Sequence, residues 1–111
     1  MLPKKKRLNK SSFNIVIDEG KPFHSTIATL RIKETTENSQ FSISIPKKVS
    51  KSAVVRNKMK RKVFSIIKEL YPDLQKKVMG IIIMKPNSDK LDFETLEKEI
   101  VNLFVKTGLL K

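Results

Sequence analysis

The chain has 111 residues, 39% of them apolar and none of them cysteine, so disulfides, thiolate nucleophiles and cysteine-held metals are excluded and a reducing, intracellular setting is suited. It carries 24 Lys and Arg against 11 Asp and Glu, a net charge of +13. Such an imbalance repels itself and is usually kept for a polyanion: RNA, DNA or an anionic membrane. No run of about eighteen apolar residues exists, which excludes a membrane-spanning helix.

Residues 1–10, MLPKKKRLNK, read as a flexible basic arm. The start is basic, but no apolar stretch follows as in a signal peptide. PKKKR resembles a nuclear-localisation cluster; short basic runs are common, and a solvated tail touching phosphates through Lys4, Lys5, Lys6 and Arg7 is the preferred reading. Residues 11–111 read as a single domain with one modest core.

SSFNIVIDE, residues 11–19, supports two readings. Phe13, Ile15 and Ile17 alternate as in a strand, which propensity favours. Phe13, Val16 and Ile17 also fit helical spacing, with Ser11 or Ser12 as N-cap. Gly20 ends either element. FHSTIATLRIK, residues 23–33, reads as one strand rich in β-branched residues, and TENSQ, 36–40, as a polar turn. In FSISIP, 41–46, Phe41, Ile43 and Ile45 share one face and serines the other. The segments 23–33 and 41–46 are expected to form an antiparallel hairpin.

A loop over 46–52 leads into a helix over 52–70, with Ser50 or Ser52 as cap and Val55, Met59, Val63, Ile66, Ile67 and Leu70 on one arc. Pro72 stops it. GIIIM, 80–84, bounded by Gly80 and Pro86, reads as a strand buried on both faces. Residues 92–106 form a last helix, with Asp92 as N-cap, Leu96, Ile100, Leu103 and Phe104 as its stripe and Gly108 closing it. The order (α or β)-β-β-α-β-α is that of an α+β protein, a two-layer α-β sandwich.

The chemistry concentrates in AVVRNKMKRKVF, 53–64. From 47 to 62 there are eight cations (Lys47, Lys48, Lys51, Arg56, Lys58, Lys60, Arg61, Lys62) and no carboxylate. A solvated helix face normally interleaves Glu with Lys. Here Arg56–Lys60 and Lys58–Lys62 repel across one turn, by a few tenths of a kcal/mol each. Bound phosphates would relieve that repulsion. Asn57, with a donor and an acceptor, can orient an RNA group; the plain alternative is a surface Asn bonded to water.

KKVSKSAVVRNKMKR resembles the SKK…A..RNR.KR signature of the bacterial ribonuclease P protein component family. KKKRLNKSSFNIVIDEG is similar to the family's N-terminal segment, and GIIIMKPNSDKLDFETLEKEIVNLF to its late strand, turn and last helix. The resemblance covers nearly the whole chain in order. It implies an α-β sandwich with a left-handed βαβ crossover, similar to the ribosomal protein S5 domain 2-like fold, against the usual handedness. It implies that 12–19 is helix. It also implies that Lys47, Lys48, Lys51, Arg56, Asn57, Lys58, Lys60 and Arg61 contact a catalytic RNA. A cleft between the first helix and the sheet would hold the 5′ leader of precursor tRNA through Phe13, Val16 and Ile17, joined by sheet residues near 30–32 and 41–45. Three positions depart from the family pattern. Lys58 replaces the second Arg of the triplet and loses its planar fork. Phe64 stands at an often basic position, where it either stacks on a base of the leader or packs. Ile17 stands where an aromatic is frequent. For Phe13, core packing competes with leader contact.

The residues themselves do not suggest a catalyst. Phosphodiester hydrolysis needs a positioned acid and base, or metals held by converging carboxylates. His24 has no neighbour of suitable chemistry and reads as structural; the acids at 92–99 sit on a structural helix. The family resemblance implies that hydrolysis and its Mg²⁺ belong to the RNA subunit, with no cofactor or metal on this chain. It implies a cytoplasmic one-to-one ribonucleoprotein with precursor tRNA as substrate, without membrane or small-molecule partners. The competing readings are a ribosomal or other structural RNA-binding protein of similar fold, and an autonomous nuclease using His24. A membrane-surface role is disfavoured, because the basic helix turns its apolar face to the core.

Overall fold

The computed structural model describes residues 3–111. Its elements run α1 (Lys10–Glu19), β1 (Lys21–His24), β2 (Ala28–Glu34), β3 (Gln40–Ser44), α2 (Ala53–Leu70), β4 (Val78–Met84) and α3 (Phe93–Lys106). The strands form one sheet in the order β1-β2-β4-β3. β2 is antiparallel to β1 and β4, whereas β3 is parallel to β4 through the α2 crossover. This is the mixed α+β architecture expected from the pattern of elements.

α2 and α3 follow their local signals. The Ser52 hydroxyl accepts from Val55 N at 3.2 Å, and the Asp92 carboxylate from Thr95 N at 2.8 Å. The hydrogen bonds from Thr95 hold the Asp92 carboxyl below the usual carboxylate range. Gly108 has φ +81°, a left-handed C-terminal turn that glycine adopts without strain. Met59, Val63, Phe64, Ile66 and Ile67 of α2 and Leu96, Ile100, Leu103 and Phe104 of α3 are buried against one face of the sheet. From the sheet come Leu30, Ile32, Phe41, Ile43, Val78, Ile82 and Met84.

Two expectations about the strands fail. The single strand over 23–33 is two strands, broken at Ser25. There the hydroxyl accepts from Ile27 N (3.3 Å) and Ala28 N (3.2 Å), and Ser25 N donates to Ala28 O (2.9 Å). A serine hydroxyl thus makes a turn without Gly, Asn or Pro. The hairpin between 23–33 and 41–46 does not form either, because β4 lies between β2 and β3. β4 is the strand with two apolar faces: Ile81 and Ile82 point to opposite sides and both are fully buried. The central position covers both faces, whereas β3, with half-buried Ser42 and Ser44 on one side, takes an edge.

α1 is a helix, and its cap is Asn9 rather than Ser11 or Ser12: the Asn9 amide oxygen accepts from Ser12 N at 2.8 Å. It packs on the sheet face opposite α2 and α3. Val16 is fully buried there but stands outside the main core, as does Ile81. The Arg31 guanidinium donates to Ile17 O and Gly20 O, each at 2.9 Å, satisfying carbonyls at the helix end. Lys33 pairs with Glu19 at 3.2 Å. Strand propensity therefore yields to bonds that only the folded chain supplies.

Of the arm expected over 1–10, residues 1–2 lie outside the described residues, Lys10 opens α1, and 3–9 lie along the free edge of β3. Arg7 bridges Phe41 in parallel, Leu8 N donates to Phe41 O at 3.2 Å, and the Gln40 amide donates to Lys5 O at 3.1 Å. An unpaired strand edge is thereby covered.

Candidate nucleic-acid interface

The loop before α2 is anchored from below. Val49 is buried, and its N–H donates to Pro46 O at 3.0 Å, which leaves Lys47 and Lys48 exposed. Arg56 is half-buried, and its guanidinium donates to Ser50 O at 2.8 Å, tying loop to helix. Of the anticipated triplet, Arg56 therefore spends part of its donor fork internally. Asn57 and Lys58 are exposed, as are Lys51, Lys60, Arg61 and Lys62.

The charge stands at the helix end where it is least welcome. The N-terminal half of a helix is already positive from its backbone dipoles, and the first turn of α2 has no acid. Among the described residues the one ion pair is Lys33–Glu19, so no carboxylate neutralises the cations of 47–62. Loop, helix dipole and side chains add to one positive surface.

Phe64 is 3% exposed and belongs to the main core. It lies on the α2 side of the sheet, away from α1, so it does not join Phe13 and Ile17 in a cleft between α1 and the sheet as expected. It forms the floor of a cavity of about 280 Å³ bordered by Asn57, Lys60 and Arg61. Its spacing of seven residues from Asn57 puts it on the same stripe, at the boundary where basic surface meets core.

The α1 face holds the other candidates. Strand register sets three rows across it: Lys33–Met79–Gln40, Arg31–Ile81–Ser42 and Thr29–Ile83–Ser44. Val16 is fully buried and offers no surface to a ligand; it fastens the helix. Helix geometry puts Ser12 and Glu19 on one flank of Val16, and Phe13 and Ile17 on the other. Glu19 pairs with Lys33, so the Ser12 flank faces the first row. The Phe13–Ile17 flank then faces the Thr29–Ile83–Ser44 row, all three half-buried. Phe13 is half-buried and Ile17 is 40% exposed, which makes this flank the accessible side of a cleft. Of the sheet positions expected near it, Arg31, Ser42 and Ser44 have the right face. Leu30, Ile32, Phe41 and Ile43 point into the core instead.

His24 is exposed. Its Nδ1 lies 3.0 Å from Thr29 Oγ1, and its carbonyl accepts from Lys106 Nζ at 3.0 Å. That is a structural setting. Among the described residues, no three His, Asp or Glu side chains converge in a way that could hold a metal ion, and no helix is long and apolar enough to cross a membrane.

Sequence reasoning included position 31 only in the range 30–32 near the cleft and missed that Arg31 holds the end of α1, although a lone arginine inside the β-branched run TLRIK was a visible signal. Arg31→Met is expected to lower stability by about 1.5–3 kcal/mol, the range for hydrogen bonds to a charged group. Urea unfolding measures the loss, and amide exchange should show α1 opening first. An unchanged midpoint would mean that the two bonds do not hold α1.

A family model described as Ribonuclease P matches residues 2–108 of this chain. The chain is 37% identical to the ribonuclease P protein component of Microcystis aeruginosa, over 98% of this chain and 96% of that one. It is 35% identical to that of Dictyoglomus turgidum, over 98% and 94%. Its fold is similar to the RNase P protein of Staphylococcus aureus, with a TM-score of 0.87 at 16% identity, covering 97% of this chain and 100% of the other. It is also similar to that of Thermotoga maritima, with a TM-score of 0.81 at 23% identity, covering 90% and 96%.

Proposed function

The chain belongs to the bacterial ribonuclease P protein family, and from that premise we propose a division of labour within the enzyme it serves. It is a ribonuclease P subunit acting in tRNA processing. In our reading it contributes binding, and the RNA subunit contributes hydrolysis. The α2 face docks the catalytic RNA through Lys47, Lys48, Lys51, Asn57, Lys58, Lys60 and Arg61, with Arg56 holding the loop in place. The cleft beside Phe13 and Ile17 receives the single-stranded 5′ leader of precursor tRNA. One protein binds one RNA in the cytoplasm.

The observation that carries this reading is the surface of α2 and the loop before it, with eight cations over 47–62 and no carboxylate among them. In this division the Mg²⁺ ions needed for hydrolysis are held by RNA phosphates. The protein's part is electrostatic: cations beside the RNA lower its self-repulsion, so the complex forms at lower magnesium.

The test is cleavage of labelled precursor tRNA at low magnesium by the RNA alone, the protein alone and both. Cleavage at the 5′ junction only with both is expected. Cleavage by the protein alone would overturn the division of labour and direct attention to His24. Absence of stimulation would favour a purely structural RNA-binding role.

A further inference from the structure

We propose that the protein carries a second single-stranded RNA site, a trough at the N-terminal end of α1, which takes leader nucleotides upstream of those held beside Phe13 and Ile17. The inference rests on the leader reading above.

Three cavities adjoin around the 38–40 segment, of about 390, 400 and 300 Å³. The first two share Asn9 and Gln40, and the second and third share Asn38, so the three lie side by side along this segment. Lys4 and Arg7 line the first, Lys5 the second and Lys77 the third, where Lys76 turns its ammonium away toward Gly108. The one acid along them is Glu37. None of these four cations has a carboxylate partner among the described residues. Four like charges along these adjoining cavities make sense where phosphates lie between them. The shared residues are amides, with donors and acceptors suited to ribose hydroxyls and base edges.

The trough is held in shape rather than left to loose side chains. The segment 3–9 is paired to β3, and Lys6 Nζ sits 4.2 Å from the Tyr71 ring centroid. The Tyr71 hydroxyl donates to Ser39 O at 2.7 Å, and the Ser39 hydroxyl accepts from Val78 N at 2.9 Å. Both walls are therefore fastened to the sheet.

Its position selects the occupant. α1 and α2 lie on opposite sheet faces, and the trough opens at Asn9, the cap of α1. Ser12, Gln40 and Met79, which line the trough, lie across α1 from the Phe13–Ile17 flank, so a strand leaving that flank at this helix end reaches Lys4 and Arg7 by turning round Asn9. A concave, amide-lined groove suits a single strand, whereas the convex α2 face suits a folded RNA surface.

The experiment uses the reconstituted holoenzyme and two precursor tRNAs. One has a leader long enough only for the cleft; the other is longer by about ten nucleotides, within the span of known single-strand sites. With the natural protein, the longer leader should bind more tightly. In Lys5→Gln/Lys77→Gln that advantage should fall about tenfold, and the salt slope for the long precursor by about 1.4, that is, by about 0.7 for each of two phosphates no longer neutralised. Short-leader affinity and RNA-subunit affinity should stay within about twofold of the natural protein's. Equal weakening of both precursors, weaker binding of the RNA subunit, or an intact long-leader advantage would each overturn the proposal. If the natural protein does not improve binding of either precursor over RNA alone, the leader reading itself fails, and the trough with it.

Discussion

Replacing Lys60 and Arg61 together by alanine should weaken binding of the catalytic RNA about a hundredfold while leaving the fold intact. Each is an exposed cation on α2 that lacks a carboxylate partner among the described residues. Hydrogen bonds to a charged group contribute about 1.5–3 kcal/mol each, and partial compensation by neighbouring lysines lowers the sum. About a hundredfold, or 2.7 kcal/mol, is therefore the expected size. The dependence of log K on log salt should become shallower by roughly 0.7–0.9 for each phosphate that the variant leaves unneutralised. Stability should change by less than about 0.5 kcal/mol, because neither side chain is buried, and relief of like-charge repulsion acts in the favourable direction. Filter binding over a salt series with a parallel urea melt measures both. Unchanged RNA affinity in a folded double variant would remove the α2 face from the RNA interface. Arg56→Ala is a poorer probe, because it also releases Ser50 O and loosens the loop that presents Lys47 and Lys48.

Phe41→Ala should be the most damaging single change to the fold. Phe41 is fully buried, and its ring stacks on Phe104 with centroids 5.9 Å apart at 22°. Truncating a buried Phe costs about 3–5 kcal/mol, a large part of the about 5–15 kcal/mol that holds a domain together. Gly80 reports on the same packing from the other side. A Cβ there would lie 2.8 and 2.9 Å from Phe41 ring carbons, with the ring held from behind by Phe104. Gly80→Ala should therefore destabilise as well. Combined with Phe41→Leu it should cost less than the sum of the two, since the smaller side chain makes room. Urea midpoints of the two single variants and the double variant test this. Strict additivity would mean that Gly80 is constrained by something other than the ring. The consequence reaches the site, because Phe41 positions β3, and β3 leads into the loop of Lys47 and Lys48.

Function was legible where it depends on composition and local order. The surplus of charge, its concentration in 47–62 and the lack of acids there need only a reading of the chain, and the structure leaves seven of those eight cations exposed. The cleft was less legible. Spacing grouped Phe13, Val16 and Ile17 on one side of a helix but could not say which of them would be spent on packing. The sheet consumes Val16 and leaves Ile17 open. Phe64 posed the same ambiguity, and burial in the main core answers it.

The sequence alone determined the elements whose signals are local. α2 and α3 carry their own caps in Ser52 and Asp92 and their own apolar stripes, and β4 announces itself as a run of apolar residues. Hydrogen bonds within a helix join residues four apart, so neighbours in the chain suffice to specify it. The tertiary structure decided whatever needs a distant partner. α1 is a helix against its propensity because Arg31, fourteen residues beyond Ile17, reaches the carbonyls at its end. β2 and β3 are parted because the doubly apolar β4, arriving later in the chain, takes the place between them. The basic segment 3–9 lies along β3 because that edge would otherwise be unpaired. Strand pairing and side-chain-to-backbone bonds across the sheet are choices among competing partners, and only the assembled core makes them.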